Sequence, residues 1–209
     1  MIKVCLADNY PVIHQGVKSY FRNHSQINIE ANVNNFSMLS ELLQKKSIDI
    51  LILDLELDGL SSILEIKKIL KNFPKTKIII YCGLSEQIYA PNSIKAGVSG
   101  YINKNEQLET LSESIIQVHK GKIIMNETIK KNLSLIAKQN KSDRLHRKLS
   151  NREVEVLRYL SAGKKNHEIA KILSLDEKTI STYKLRLLIK LDVTNLVDLI
   201  NKAKILQAI

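Results

Sequence analysis

The first 120 residues alternate between two hydrophobic periods. Short, nearly solid apolar runs rich in Ile and Val appear at IKVCLA (2–7), INIEANV (27–33), IDILILD (48–54), KIIIYC (77–82) and VSGYI (98–102). Between them, at 11–22, 36–46, 61–72, 86–96 and 106–119, lie stretches of helical spacing; Ile63, Ile66, Ile69 and Leu70, for example, fall on one face. A run such as IDILILD is apolar at both alternating sets of positions, as a strand buried on both faces must be. Five strand–helix repeats of this kind over residues 1–121 predict an α/β doubly wound (βα)5 domain, with a parallel sheet covered on both sides. Pro91 lies inside the fourth helical stretch and is expected to break or restart it.

From about residue 122 the strands stop. ETIKKNLSLIAKQ is weakly helical, and QNKSDRLHRK (139–148) is polar and basic with no apolar period, which places a helix and basic linker over 122–148. A small all-α domain is expected over 149–209. Ser150-Asn151-Arg152-Glu153 has the form of a capping box opening a helix that ends near Gly163. A short helix then carries HEIAKIL, Asp176 is placed to cap a third running to about Leu191, and a fourth runs from about Thr194 to Leu206. Two helices joined by a tight turn, the second of them basic, outline a helix-turn-helix.

Charge sharpens this division. Residues 1–120 carry 13 Lys/Arg against 12 Asp/Glu, whereas residues 121–209 carry 19 against 9, so nearly all of the net +11 belongs to the back of the chain. Only that part is suited to a polyanion, with nucleic acid the first candidate and an anionic membrane surface the second. The membrane is the weaker of the two, because the apolar faces of these helices are needed for a core. No run approaches the roughly 18 apolar residues of a membrane span. Met1-Ile2-Lys3-Val4 leads straight into an apolar stretch with no cleavable leader after it, so the cytoplasm is the expected location. Cys5 and Cys82 both sit in apolar runs, which suits reduced, buried thiols better than a disulfide framework or a metal site.

In parallel sheets ligands gather at the carboxyl ends of the strands. Those ends carry Asp8, Asp54, Cys82 and Asn103-Lys104. If the first and third strands are neighbours, the Asp8 and Asp54 carboxylates converge, and two such acids suit a hard divalent cation such as Mg2+. A lysine at the end of the fifth strand can neutralise and orient a phosphoryl oxygen. Together with Gly100-Tyr101, this arrangement resembles the receiver domain of bacterial two-component response regulators, over roughly residues 1–120. The resemblance implies Asp54 as phosphoacceptor, Lys104 as the family's lysine and Tyr101 as its aromatic switch. It also implies Mg2+ held by Asp8, position 9, Asp54 and the backbone carbonyl of Glu56, and a sensor histidine kinase as phosphoryl donor.

Three positions depart from the family pattern. The second acid of its acidic pair is Asn9, its switch Thr or Ser is Cys82, and the Met-Pro usual after the acceptor is Leu57-Asp58. Asn9 can still offer a carbonyl oxygen, but the carboxylates fall from three to two, so weaker Mg2+ binding and slower phosphorylation are expected. Cys82 offers a weaker donor than a hydroxyl. Two other readings stay open: a phosphorylation-independent regulator whose sheet is a dimerisation or ligand-sensing module, and a redox role for Cys82.

The stretch from Leu149 to Val193 is similar to the DNA-binding domain of LuxR/NarL-type regulators. The matches include Leu149-Ser150, Arg152-Glu153, Glu155-Val156-Leu157, Gly163, Glu168-Ile169-Ala170, Thr179-Ile180 and Lys190-Leu191; Tyr183 stands where His is common, and Lys165 replaces the usual Ser cap. Read from spacing alone, Ile180, Tyr183, Leu187 and Leu191 of the third helix face the core. Lys178, Ser181, Thr182 and Leu185 lie opposite, with Arg186 at the edge. In a major groove Ser181 and Thr182 could bond bases and Leu185 touch a thymine methyl, while Lys178, Lys184 and Arg186 reach phosphates. In the fourth helix Leu196, Leu199, Ile200 and Ala203 exceed what one small core needs; the resemblance makes them the dimer contact, and core is the alternative. The chain as a whole therefore resembles a response regulator of the NarL/FixJ type, binding double-stranded DNA as a homodimer. An enzyme is disfavoured, since neither G-x-S-x-G nor a G-x-x-x-x-G-K phosphate loop is present. An autoinducer-sensing regulator would share the DNA-binding part, but the fivefold alternation and the absence of Trp favour the receiver.

Overall fold

The computed structural model describes residues 1–60, 62–125, 130, 149–191 and 193–205, in two compact units. In the first, strands β1 (Ile2–Ala7), β2 (Ile27–Val33), β3 (Ile50–Leu53), β4 (Lys77–Cys82) and β5 (Gly100–Asn103) form a parallel sheet in the order β2-β1-β3-β4-β5. Along the chain, helices α1 (Pro11–Phe21), α2 (Phe36–Lys45), α3 (Ile63–Asn72), α4 (Glu86–Lys95) and α5 (Leu108–His119) alternate with the strands, though α4 up to Asn92 groups with the second unit. Burial explains the order. β1, β3 and β4 are apolar on both faces and lie inside, while the half-exposed middle of β2 lies at an edge.

Val4, Leu6, Ile50, Ile52, Ile79 and Tyr81 pack with Val17 and Phe21 of α1 and with Leu111, Ile115 and Val118 of α5. Their neighbours in the pleat, Cys5, Leu51, Leu53, Ile78 and Ile80, are equally buried and point to the other face. Each such aliphatic side chain contributes on the order of 2 kcal/mol by burial, which fixes the strand register against slippage. Helix ends are held by side chains. Asn35 Oδ1 accepts from Met38 N at 2.9 Å to open α2, and Ser62 with Glu65 forms a capping box on α3. At the other end of the sheet, Lys77 Nζ donates to the Val118 and His119 carbonyls, closing α5.

One expectation is corrected. α4 runs through Pro91 without a break. The proline removes a single hydrogen bond from a short helix, and Pro91 itself is buried, so packing carries the turn.

The helices of the second unit that follow the sheet domain in the chain are α6 (Asn151–Ser161), α7 (Asn166–Leu173), α8 (Glu177–Lys190) and α9 (Leu196–Ile205). Val156, Leu157, Leu160, Ile169, Leu173, Ile180, Leu187 and Leu199 form its core. The predicted box at the start of α6 is present: Glu153 Oε2 accepts from Ser150 N at 2.6 Å, and Ser150 Oγ accepts from Glu153 N at 3.3 Å. Lys190 Nζ reaches the same carboxylate at 2.8 Å, pinning the end of α8 to the start of α6. At Lys165 the box is half made, because Glu168 accepts from its N–H at 2.7 Å but lysine has no cap oxygen to return. Asp176 occupies the N-cap of α8 without a side-chain cap hydrogen bond. Of the helix and linker expected over 122–148, residues 126–129 and 131–148 lie outside the described residues, as does Leu206. No helix among the described residues is long and apolar enough to cross a membrane.

Candidate functional site

The sheet order changes direction between β1 and β3, and there the strand ends open a crevice. Ala7 and Leu53 are paired across it, so Asp8 and Asp54, one residue further on, leave the sheet side by side. Both are buried, at 0% and 1% exposure. Lys104 follows β5, its backbone N–H donating to Cys82 O at 3.0 Å. Its ammonium lies 2.6 Å from Asp8 Oδ2 and 2.5 Å from Asp54 Oδ2. Two buried carboxylates thus share one ammonium. Burial pushes the Asp54 carboxyl above the usual range, against hydrogen bonds from Lys104 and from Glu56 N–H at 3.0 Å. For Lys104 burial acts to lower the pKa, but the hydrogen bonds to Asp54 and Asp8 outweigh it and hold the amine above its ordinary value.

The rim adds Tyr10, which no motif in the sequence marked, to Asn9, Glu56 and Asp58. Asp8 Oδ1 accepts from Tyr10 N at 2.8 Å, and the Tyr10 ring centroid stands 5.4 Å from the Lys104 ammonium, within cation–π range. Asn9 does not point its oxygen into the pocket. Its Nδ2 donates to Glu56 O at 2.7 Å and lies 3.3 Å from Asp58 Oδ1, while its Oδ1 accepts from Asp58 N at 2.8 Å. These partners fix the amide orientation, since exchanging O and N would set oxygen against oxygen at Glu56 and donor against donor at Asp58. Of the oxygens that would hold magnesium, those of Asp8 and Asp54 converge and suit a hard cation. The other two are already hydrogen-bonded, the Asn9 oxygen to Asp58 N–H and the Glu56 carbonyl to the Asn9 amide. Among the described residues no group of three or more His, Cys, Asp or Glu side chains could hold a metal. Cys82 Sγ lies 2.9 Å from the Tyr101 hydroxyl, and both side chains are buried.

A second surface lies on α8. Ile180 and Leu187 are fully buried and Tyr183 and Leu191 pack beside them, leaving Lys178, Ser181, Thr182, Leu185 and Arg186 exposed and Lys184 half-buried. Arg186 lies 5.9 Å from the Tyr183 ring centroid, which steadies the guanidinium. The Ser181 and Thr182 hydroxyls donate to the Glu177 and Lys178 carbonyls at 3.0 Å, so outward they offer acceptor lone pairs. Asn166, at the start of α7, donates to Ser181 Oγ at 3.1 Å. Ile189, 58% exposed, extends the stripe of Lys178, Thr182 and Leu185, and helical spacing could have found it.

On α9, Leu199 and Ala203 are fully buried in the unit's own core and Leu196 packs against it, because positions three and four apart form the stripe that faces α6 and α8. Leu199 and Ala203 are therefore not available as contact groups. Ile200 is half-buried, and Val197 is 67% exposed.

Residues 4–116 match the family model for the response regulator receiver domain, and residues 147–203 match that for bacterial regulatory proteins of the luxR family. The Fimbriae Z protein of Salmonella typhimurium is 31% identical over 202 residues, covering 96% of this chain and 95% of its own. Among solved structures, RcsB from Salmonella enterica serovar Typhimurium, bound to promoter rprA in the presence of the phosphomimetic BeF3−, is similar with a TM-score of 0.79 at 25% identity, covering 97% of this chain and 98% of that one. A structure of two RcsB dimers bound to two parallel DNAs is similar with a TM-score of 0.73 at 26% identity, covering 96% and 97%.

Proposed function

The chain belongs to the response regulators that join a receiver domain to a luxR-family DNA-binding domain, a family of non-enzymatic transcription regulators, and from that premise we propose that phosphorylation of Asp54 switches its binding to DNA. One observation carries the reading: Asp54 is buried at the β1/β3 crevice beside Asp8, with the Lys104 ammonium 2.5 Å from its carboxylate. In the transfer, an Asp54 oxygen bonds to phosphorus as the bond from phosphorus to the donor breaks, and the donor keeps that electron pair. The donor is a phosphohistidine of a sensor kinase or a small acyl phosphate. Lys104 neutralises charge on the phosphoryl oxygens while remaining beside the acyl phosphate it helps to form. Glu56 N–H orients the attacking carboxylate.

Receiver domains typically bind Mg2+; when bound it compensates phosphoryl charge, and here Asp8 and Asp54 would hold it weakly. The Cys82–Tyr101 contact links the pocket to the sheet's far edge as the switch pair. The bundle then binds double-stranded DNA through α8, with Lys178, Lys184 and Arg186 on phosphates and Ser181, Thr182 and Leu185 toward bases. RcsB, a similar protein, is seen as dimers on DNA, which supports a dimer here, with half-sites about one helical turn apart. For α9 the proposed contact passes to Leu196, Val197 and Ile200. The cytoplasm is the proposed location.

The Asn9 substitution favours a second reading, in which the sheet domain is a phosphorylation-independent dimerisation or ligand-sensing module. Treatment with acetyl phosphate separates the two. The phospho-switch predicts one phosphoryl group on wild type by intact mass and none on Asp54→Ala; an unmodified wild-type chain supports the second reading.

A further inference from the structure

Asn9 does more than remove a carboxylate from the pocket. Its amide N–H lies against Glu56 O at 2.7 Å, presenting partial positive charge to the carbonyl that the receiver pattern gives to the cation. Its own oxygen, which could have replaced the lost carboxylate, takes Asp58 N–H at 2.8 Å instead. Asp58 is held in turn, because its carbonyl accepts from Phe36 N at 2.7 Å at the start of α2. The next residue, Gly59, has φ +82, and a Cβ there would meet Phe36 Cβ at 3.3 Å. The loops after β1, β2 and β3 are thereby closed on one another at the pocket rim.

We propose that Asn9 is a latch: its hydrogen bonds to Glu56 and Asp58 compete with a divalent cation for the same carbonyl, so that Mg2+ enters only as the latch opens. The inference rests on the receiver reading and deepens it. A merely missing ligand and a latch differ in the effect of truncating the side chain. With the ligand missing, Asn9→Ala is neutral or takes away a last weak oxygen. With the latch, Asn9→Ala frees the Glu56 carbonyl and tightens the site although it adds no ligand.

The test is a titration of the full chain with Mg2+ alone, monitored by the backbone amide shifts of residues 54–58, for wild type, Asn9→Ala and Asn9→Asp. The latch predicts binding about tenfold tighter in Asn9→Ala, the order expected from releasing hydrogen bonds of ordinary net strength. Asn9→Asp, which adds a carboxylate as well, should gain about a hundredfold. Wild-type affinity or weaker in Asn9→Ala, alongside tight binding in Asn9→Asp, overturns the latch and leaves the proposed phospho-switch intact. No binding by Asn9→Asp overturns the proposed phospho-switch and the latch with it. Wild type supplies a check that no variant's folding can confound. Solvent exchange of the Asn9 side-chain amide should accelerate along the Mg2+ isotherm, and an amide still protected at saturation contradicts the proposal.

Discussion

Lys104 faces two buried carboxylates, and that imbalance sets the chemistry of the proposed acceptor. Only the ionised Asp54 carboxylate can attack phosphorus, and burial holds its pKa above the aspartate range. Acetyl-phosphate labelling should therefore rise with pH past the ordinary value of about 3.9 before levelling, as read from initial rates of phosphoprotein formation. A profile with its midpoint at about pH 4 would show that Lys104 cancels the burial. Asp8, Asp54 and Lys104 were legible in the sequence because residue type and strand ends together specify them. The direction of the Asn9 amide was not, since an amide can present either its oxygen or its N–H, and the choice is made by Glu56 and Asp58, both distant in sequence.

Helices and strands were more legible than side-chain directions. Solid Ile/Val runs mark β1, β3 and β4 because both faces are buried, and the capping residues at Ser62 and Ser150 act as their types suggest. Pro91 misled because local propensity yields to burial. On α9 an apolar count could not divide core from surface; only packing assigns Leu199 and Ala203 inward. The bond between α6 and α8 has a pH signature. Burial alone would raise the Glu153 pKa, but Lys190 and the Ser150 N–H and hydroxyl outweigh it and lower the value. A depressed acid contributes stability above its unfolded value of about 4.3, and loses it as pH falls through the folded one. The melting temperature of the helical unit, measured by circular dichroism, should thus fall on acidification below about pH 5. Glu153→Ala should cost about 2 kcal/mol at neutral pH, because it removes the capping box and the ion pair to Lys190 together. An unchanged melting point in the variant would contradict this account.

At the scale of the whole molecule, charge is segregated: residues 121–209 hold 19 Lys/Arg against 9 Asp/Glu. Binding to DNA should weaken steeply with salt, and Lys178→Ala should reduce the slope of log K against log salt by about 1, for specific and non-specific sequences alike. An unaltered slope would remove Lys178 from the phosphate contacts. In the proposed switch, Asp54 in one unit controls DNA binding by the other. The decisive measurement is the affinity of the full chain for DNA that it selects from a random pool, with and without acetyl phosphate. Binding should tighten at least about tenfold on phosphorylation, within the usual range of allosteric coupling, and should not change for Asp54→Ala. Equal affinity in both conditions, or an equal response from Asp54→Ala, would rule out Asp54 as the switch.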